Sequence, residues 1–371
     1  MNHRERFKAV LRYEKYDRMP VAGFGFWHET LWKWRREGHL TEEEVRGWQN
    51  GSEAEFSINK KLGFEFNAHA TFGAAKGLFP LFEEEVLEEQ PDGYRKVRNK
   101  DGVIELRKKG VPSIPPVVDY LLKDRKSWEW IYLPRLQYTS GRIDEAAAQK
   151  LIDDKNRLTP VGLDCGSLFG QIRNWMGVVN ISYLYADDEE LYDEMIDTVA
   201  GLTYSNIKSV LELGIDFDYA HFWEDICYKN GPLVTPSVFY EKTGPHYKRI
   251  TEMLAAHDID IVSLDCDGLI DSLIPTWLEN GVNTMFPIEV GTWGASIAPW
   301  REKYGRRLLG VGGVSKNIFG RGREAIDDEI ERIKPLVDLG GYLPCPDHNI
   351  PPDAIWENVQ YYCDRMHREF S

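Results

Sequence analysis

The chain has 371 residues, with 45 basic and 60 acidic side chains, a formal net charge of −15, and 42% hydrophobic and 12% aromatic residues. This is the composition of a globular protein with enough apolar material for a large core. The acidic balance, with no basic stripe to neutralise phosphates, argues against nucleic acid or an anionic membrane surface as a partner.

The five cysteines (Cys165, Cys227, Cys266, Cys345 and Cys363) are odd in number and scattered. They do not form a disulfide framework, so any that meet in space are read as metal or redox chemistry. The opening Met1–Phe7 carries no apolar leader, and no apolar run approaches the roughly 18 residues of a membrane span. A cytoplasmic location is expected.

In chain order, short apolar runs read as strands at Pro20–Phe24, Phe64–Ala70, Thr159–Leu163, Gly214–Ala220, Ile259–Leu264, Val282–Pro287, Leu308–Val311 and Gly341–Leu343. Between most of them lie patterns with 3.6-residue spacing, clearest at Glu189–Leu213, Pro236–His257, Ile270–Asn280 and Glu324–Leu339. Alternating strands and helices make a parallel sheet, and eight units predict an α/β (β/α)8 TIM barrel in a single domain over residues 1–371. The alternative, an open doubly wound sheet, lacks a glycine-rich phosphate turn after its first strand. Leu81–Lys109 breaks the rhythm. It alternates around the turns Pro91-Asp92-Gly93 and Asn99-Lys100-Asp101-Gly102, which predicts an antiparallel β-hairpin insertion serving as a lid or an oligomer contact.

Reactive groups of such a barrel sit where strands end. Those positions hold Asp164-Cys165, His221-Phe222-Trp223-Glu224-Asp225, Asp265-Cys266-Asp267-Gly268, Glu289, Gly312-Gly313 and Cys345-Pro346-Asp347-His348. Carboxylates, thiols and imidazoles converging on one mouth point to a catalytic or metal site. Each also has a structural reading. Asp265 and Asp267 can close Asx-turns, Cys266 and Cys345 can be small buried hydrophobes, and His221 can stack in the mouth. Glu289 beside an apolar wall needs a buried partner, Gly312-Gly313 reads as permitting close backbone approach, and Phe26, Trp27, Leu31 and Trp34 have helical packing spacing.

Along nearly its whole length the sequence resembles the uroporphyrinogen decarboxylase superfamily. The resemblance runs through Arg4-Glu5-Arg6-Phe7, Asp17-Arg18-Met19-Pro20-Val21, Trp223-Glu224-Asp225 and Asn230–Pro236. It continues through Asp265-Cys266-Asp267-Gly268, Phe286-Pro287-Ile288-Glu289-Val290, Gly340-Gly341-Tyr342, Pro346–Asp353 and Glu357-Asn358. It implies the barrel fold, a homodimer and one of two chemistries. One branch decarboxylates a tetrapyrrole without a cofactor, using an Asp beneath the pyrrole nitrogens and arginines on the carboxylates. The other holds zinc methyltransferases that pass a methyl group between a corrinoid protein and an acceptor, with zinc holding the acceptor as a thiolate.

Where the decarboxylase pattern carries an arginine-rich segment after the first strand, this chain reads Gly25–Arg36, with Trp27, His28 and Glu29 near its start and Arg35 and Arg36 displaced. An acidic mouth repels a polycarboxylate. The methyltransferase branch, near which the sequence falls, implies zinc held by a set drawn from Cys266, Glu289, His348 and Cys345, although Leu264 replaces the branch's histidine. Asp265, Asp267 and His348 are then expected as catalytic or ligand-orienting groups. His221, Trp223, Glu224, Asp225, Trp27 and His28 are expected to contact a small-molecule substrate, and Phe26, Phe222 and Trp293 to add an aromatic wall. The expected activity is zinc-dependent methyl transfer to or from a corrinoid on a partner protein. The alternatives are a cofactor-free decarboxylase of uroporphyrinogen or another carboxylated ring, and a non-catalytic protein that binds a corrinoid or tetrapyrrole.

Overall fold

The computed structural model of the chain describes residues 1–108 and 114–371. The first strands are β1 Ala22–Gly23, β2 Phe66–Asn67 and β3 Thr71–Phe72. An inserted group follows: β4 Glu85–Glu89, β5 Tyr94–Arg98, β6 Val103–Lys108 and β7 Val117–Tyr120. Next come β8 Gly162–Gly166, β9 Tyr219–Trp223, and a small hairpin of β10 Cys227–Tyr228 and β11 Gly231–Pro232. The last are β12 Val262–Asp265, β13 Thr284–Ile288, β14 Leu309–Val314 and β15 Tyr342–Pro346.

Seven strands form one sheet in the order β15-β14-β13-β12-β9-β8-β3, with every neighbouring pair parallel, and β1 pairs in parallel with β2. The segments beyond β1 and β15 are also joined: Ile350 N–H donates to Gly25 O (2.9 Å) and Trp27 N–H to Ile350 O (3.2 Å). Helices cross back between the strands at Glu189–Leu211, Pro236–Ala255, Ile274–Glu279 and Arg323–Val337. This is the α/β barrel architecture expected from the alternating pattern.

Four strand positions differ from the sequence reading in the same way: β8, β9, β14 and β15 each run three residues further toward their C-terminal ends. Apolar runs mark only the part of a strand packed beneath helices, whereas a barrel strand continues past it into a mouth lined with polar groups. Hence Asp164, Cys165, His221, Gly312, Gly313 and Cys345, expected in loops, all lie within strands. At Gly312 (φ +112°) a Cβ would stand 2.6 Å from Ile288 N, so the close approach of β13 and β14 requires glycine there.

The insertion is larger than a hairpin. β4 to β7 make a four-stranded antiparallel sheet, with the two expected turns joining β4 to β5 and β5 to β6. β7 lies beyond the expected end of the insertion, whose last residue, Lys109, falls outside the described residues. The sheet rests on the segment Trp128–Tyr132, where the Tyr132 hydroxyl donates to Asp101 O at 3.0 Å. One apolar core fills the barrel and its surrounding helices. A second, built on Phe26, Leu31, Trp34, Ile58, Phe319 and Tyr362, joins the N-terminal helices to the C-terminal ones. Among the described residues no helix is long and apolar enough to cross a membrane.

Candidate active site at the barrel mouth

Strand parity decides which residues reach the mouth, because successive side chains on a strand face opposite sides. On β12, Val262 and Leu264 are buried, and Cys266 continues their side against Tyr247 of the helix Pro236–Ala255 and against Cys227. Ser263, Asp265 and Asp267 take the opposite side. On β9 the same rule sends Phe222 outward onto Tyr247, with ring centroids 5.2 Å apart, and His221 inward.

The inward carboxylates crowd one another. Burial, then Asp225, Asp267 and Glu289, push the Asp265 carboxyl well above the usual carboxylate range. Asp267 is pushed up to about 7 by burial, Glu289 and Asp225, and Lys316 offsets part of the effect. Asp225, in the left-handed region at φ +49°, is raised by burial and by Glu289 and lowered by Arg173. Glu289 does have the buried partners its apolar wall demands: it accepts from Gly268 N–H at 2.7 Å and from the Thr292 hydroxyl. His348 closes the rim, with Nε2 3.6 Å from Asp267 Oδ2. Burial lowers its imidazole to about 4, so the ring is neutral at pH 7. The His348 ring stacks on both Phe24 (5.2 Å) and Trp27 (5.6 Å), and Phe24 stacks in turn on Phe286 (5.2 Å). Asp267 Oδ1 and His348 Nδ1 are buried atoms with no partner.

The structure therefore brings Asp265, Asp267, Glu289, Asp225 and His348 together, with Trp27 against His348. It removes others from the site. Glu224 is fully buried and accepts from the Ser167 hydroxyl (2.8 Å), from Leu168 and Phe169 N–H (2.9 and 3.0 Å), from Gly170 N–H and from the Tyr247 hydroxyl. It caps the helix Gly170–Met176 from behind and has no lone pair left for substrate. His28 is exposed and stands edge-on to Trp48 at 5.6 Å. Phe26 is buried against Trp34 (5.6 Å), and Phe222 faces the helix layer. Trp223 and Trp293 are half-buried.

The thiol set does not fit a zinc ion. Cys266 is packed on the outer side of β12 beside Cys227, where burial, that neighbour and Asp225 push its thiol up, and its Sγ lies 3.6 Å from Asp267 O. Cys345 is fully buried beside Tyr362, with Sγ 3.5 Å from Pro346 O, and burial pushes its thiol up too. Cys266 packs against Tyr247 and Cys345 beside Tyr362, on two different outer helices, so the two sulfurs do not face one point as zinc ligands must. Among the described residues no three His, Cys, Asp or Glu side chains stand together as a metal-holding group.

Several mouth residues were given no role of their own by the sequence reading. His69 follows β2 and was hidden inside an apolar stretch read as strand. Its ring stacks on His221 (6.2 Å, 20° between planes) and meets Phe24 (4.6 Å) and Phe286 (5.5 Å) edge-on. Lys76 pairs with Asp164, which anchors that side of the mouth. Asp347 is fully buried and accepts from Val290, Gly291 and Lys316 N–H, each at 2.9 Å, fixing the loops that follow β13 and β14. Only Asp347 carried a sequence signal, as part of the closing motif.

No family model matches the sequence, and no curated protein matches it. Solved structures do. The chain is similar to a methyltransferase from Methanosarcina mazei over 100% of both chains, at 13% identity and a TM-score of 0.62. A protein from Listeria monocytogenes described as a vitamin-B12 independent methionine synthase aligns with 95% of this chain and 97% of its own, at 12% identity. Its TM-score of 0.45 is too low to carry an argument. The first likeness establishes the fold, which is the one the resemblance to the uroporphyrinogen decarboxylase superfamily implies.

Proposed function

We propose that the protein is a methyltransferase of the uroporphyrinogen decarboxylase-like kind, with its chemistry at the barrel mouth and Asp267 and His348 as its proton-handling pair. The observation that carries this reading is Asp267. Its carboxyl is held at about 7 by burial and by neighbouring carboxylates, and it stands 3.6 Å from a neutral imidazole. A group with a pKa near the working pH is matched to general acid–base work. When a methyl group leaves a nitrogen, oxygen or sulfur of a donor, the heteroatom keeps the bonding electron pair and needs a proton. Protonated Asp267 supplies it and, being part-exposed, takes a proton back from solvent, with the neutral His348 ring beside it. The methyl acceptor is a reduced corrinoid presented by a partner protein, the class that the resemblance implies, and no step here uses zinc.

Decarboxylation of a polycarboxylate fits less well. Four carboxylates line the rim, and Arg35 is committed to Glu42 at 2.6 Å outside it. The test is methyl transfer to cob(I)alamin, followed by its change in absorbance, with methylamines, methyl ethers and methyl thioethers as donors. Turnover that falls by about 10²-fold or more in Asp267→Asn supports the reading. No transfer from any donor class, or an Asn variant as active as wild type, overturns it.

A further inference from the structure

The helix Glu53–Leu62 turns a stripe of unexpected polarity inward. Ser52, Glu55, Phe56 and Asn59 follow one another at helical spacing, where a packed helix carries apolar side chains. Yet Glu55 is only 4% exposed and Asn59 only 6%. All four line one cavity of about 250 Å³, closed on its other sides by β2 and the segment leading into β8. None of the mouth residues Asp225, Asp265, Asp267, Glu289 and His348 lines it. It is a second, separate concavity with room for a small organic molecule.

Two of these side chains lack the partners that burial demands. Glu55 accepts from Gly51 N–H (2.7 Å) and from Asn67 Nδ2 (2.6 Å), one bond to each oxygen. Both donors are neutral, and no cation pairs with Glu55 among the described residues. Burial raises its carboxyl above the usual range, and the two N–H bonds offset part of that rise. Asn59 uses its backbone carbonyl to accept from Gly63 and Phe64 N–H (2.8 and 3.0 Å). Its side-chain amide makes no hydrogen bond among the described residues, although it is more than nine-tenths buried. A buried amide and a buried carboxyl left short of partners mark the place of a ligand group.

The charges around the cavity lean one way. Arg157 is matched by Asp218 at 2.9 Å, and Glu65 by Arg18. Glu55 and the exposed Asp154 have no counter-ion among the described residues. An anion is repelled here, and a neutral hydroxyl leaves the carboxylate charge unmatched. A cation with N–H donors meets both the free lone pairs of Glu55 and Asn59 Oδ1. Phe66, Leu151 and Val161 suit its carbon part, and Phe56, 62% exposed, adds an aromatic wall. We propose that this cavity is a binding site for a primary ammonium on a short apolar chain, held by Glu55 and Asn59. The site is independent of the chemistry at the mouth.

The test is titration calorimetry of the full chain with three probes. n-Butylammonium carries charge and N–H donors, tetramethylammonium carries charge alone, and 1-butanol carries no charge. n-Butylammonium should bind about tenfold more tightly than either of the others. Asn59→Leu keeps the side-chain size and removes no bond of the folded protein, so the urea midpoint should not fall. It should nevertheless weaken n-butylammonium about fivefold or more. Glu55→Gln should bring n-butylammonium and 1-butanol to about equal affinity, and if that variant does not fold, Asn59→Leu decides alone. n-Butylammonium binding left unchanged by Asn59→Leu reports the acidic mouth instead of this cavity and overturns the proposal. Equal binding of the three probes to wild type, or no n-butylammonium binding at millimolar concentration, overturns it as well.

Discussion

Glu224 and Asp267 are carboxylates at the ends of two neighbouring strands, β9 and β12, yet they play opposite parts. Glu224 is fully buried, and five donors converge on its two oxygens. Asp267 is part-exposed, has one oxygen with no partner, and stands among like charges. The protein spends one acid on holding a helix in place and leaves the other unsatisfied. A satisfied carboxylate is architecture. An unsatisfied one with a raised pKa is available for chemistry.

The largest expected effect breaks this contrast from the rim. Asp267→Asn should lower methyl transfer by about 10²-fold or more while leaving the urea midpoint at pH 7 no lower than that of wild type. An unfolded Asn variant would show that Asp267 is architecture after all. From the other side, Glu224→Ala strands several buried N–H groups and should cost about 3 kcal/mol or more in urea unfolding. A loss under about 1 kcal/mol would remove the capping role.

The pH dependence sharpens the same comparison. The Asp267 carboxyl is raised from the ordinary aspartate range to about 7 on folding, so the folded state holds its proton over that window while the unfolded chain releases it. Stability from this group is therefore greatest below pH 4, falls as pH rises toward 7, and levels off above. The Asn variant should match wild type at low pH, gain on it as pH rises from about 4 to about 7, and hold that gain above. Turnover that needs protonated Asp267 should likewise fall as pH rises through about 7, and a flat profile from pH 6 to 8 would dismiss it as the acid. The smallest expected effect is at Cys266. Because its thiol packs outside the mouth, Cys266→Ser should cost about 1 kcal/mol of stability and leave both turnover and metal content unchanged. Zinc bound by wild type and lost from the Ser variant would refute the placement of this side chain.

Much of the fold was legible in the sequence because it rests on periodicity. Val262, Leu264 and their counterparts make the apolar runs, and Glu189–Leu211 and Pro236–Ala255 carry a plain helical stripe. The rim acids Asp265, Asp267 and Glu289 and the closing His348 were also legible, since they follow those runs directly. Strand ends were not. A barrel strand entering a polar mouth loses its hydrophobic signature before it loses its hydrogen bonds, so β8, β9, β14 and β15 were read short, and His69 was taken for part of a strand. The thiols failed for a related reason. Spacing along the chain placed Cys266 next to two mouth acids, but alternation about the β12 backbone sends adjacent side chains to opposite faces.

The sequence by itself determined the barrel, the antiparallel insertion and the acidic character of the mouth, because local patterning and composition dictate these. Tertiary structure alone decided which side of each strand faces inward, and so which acids are crowded into raised pKa values and which thiols are sealed away. Both depend on contacts between segments far apart in the chain, such as His348 with Asp267 and Cys266 with Tyr247, and no local pattern records such pairings.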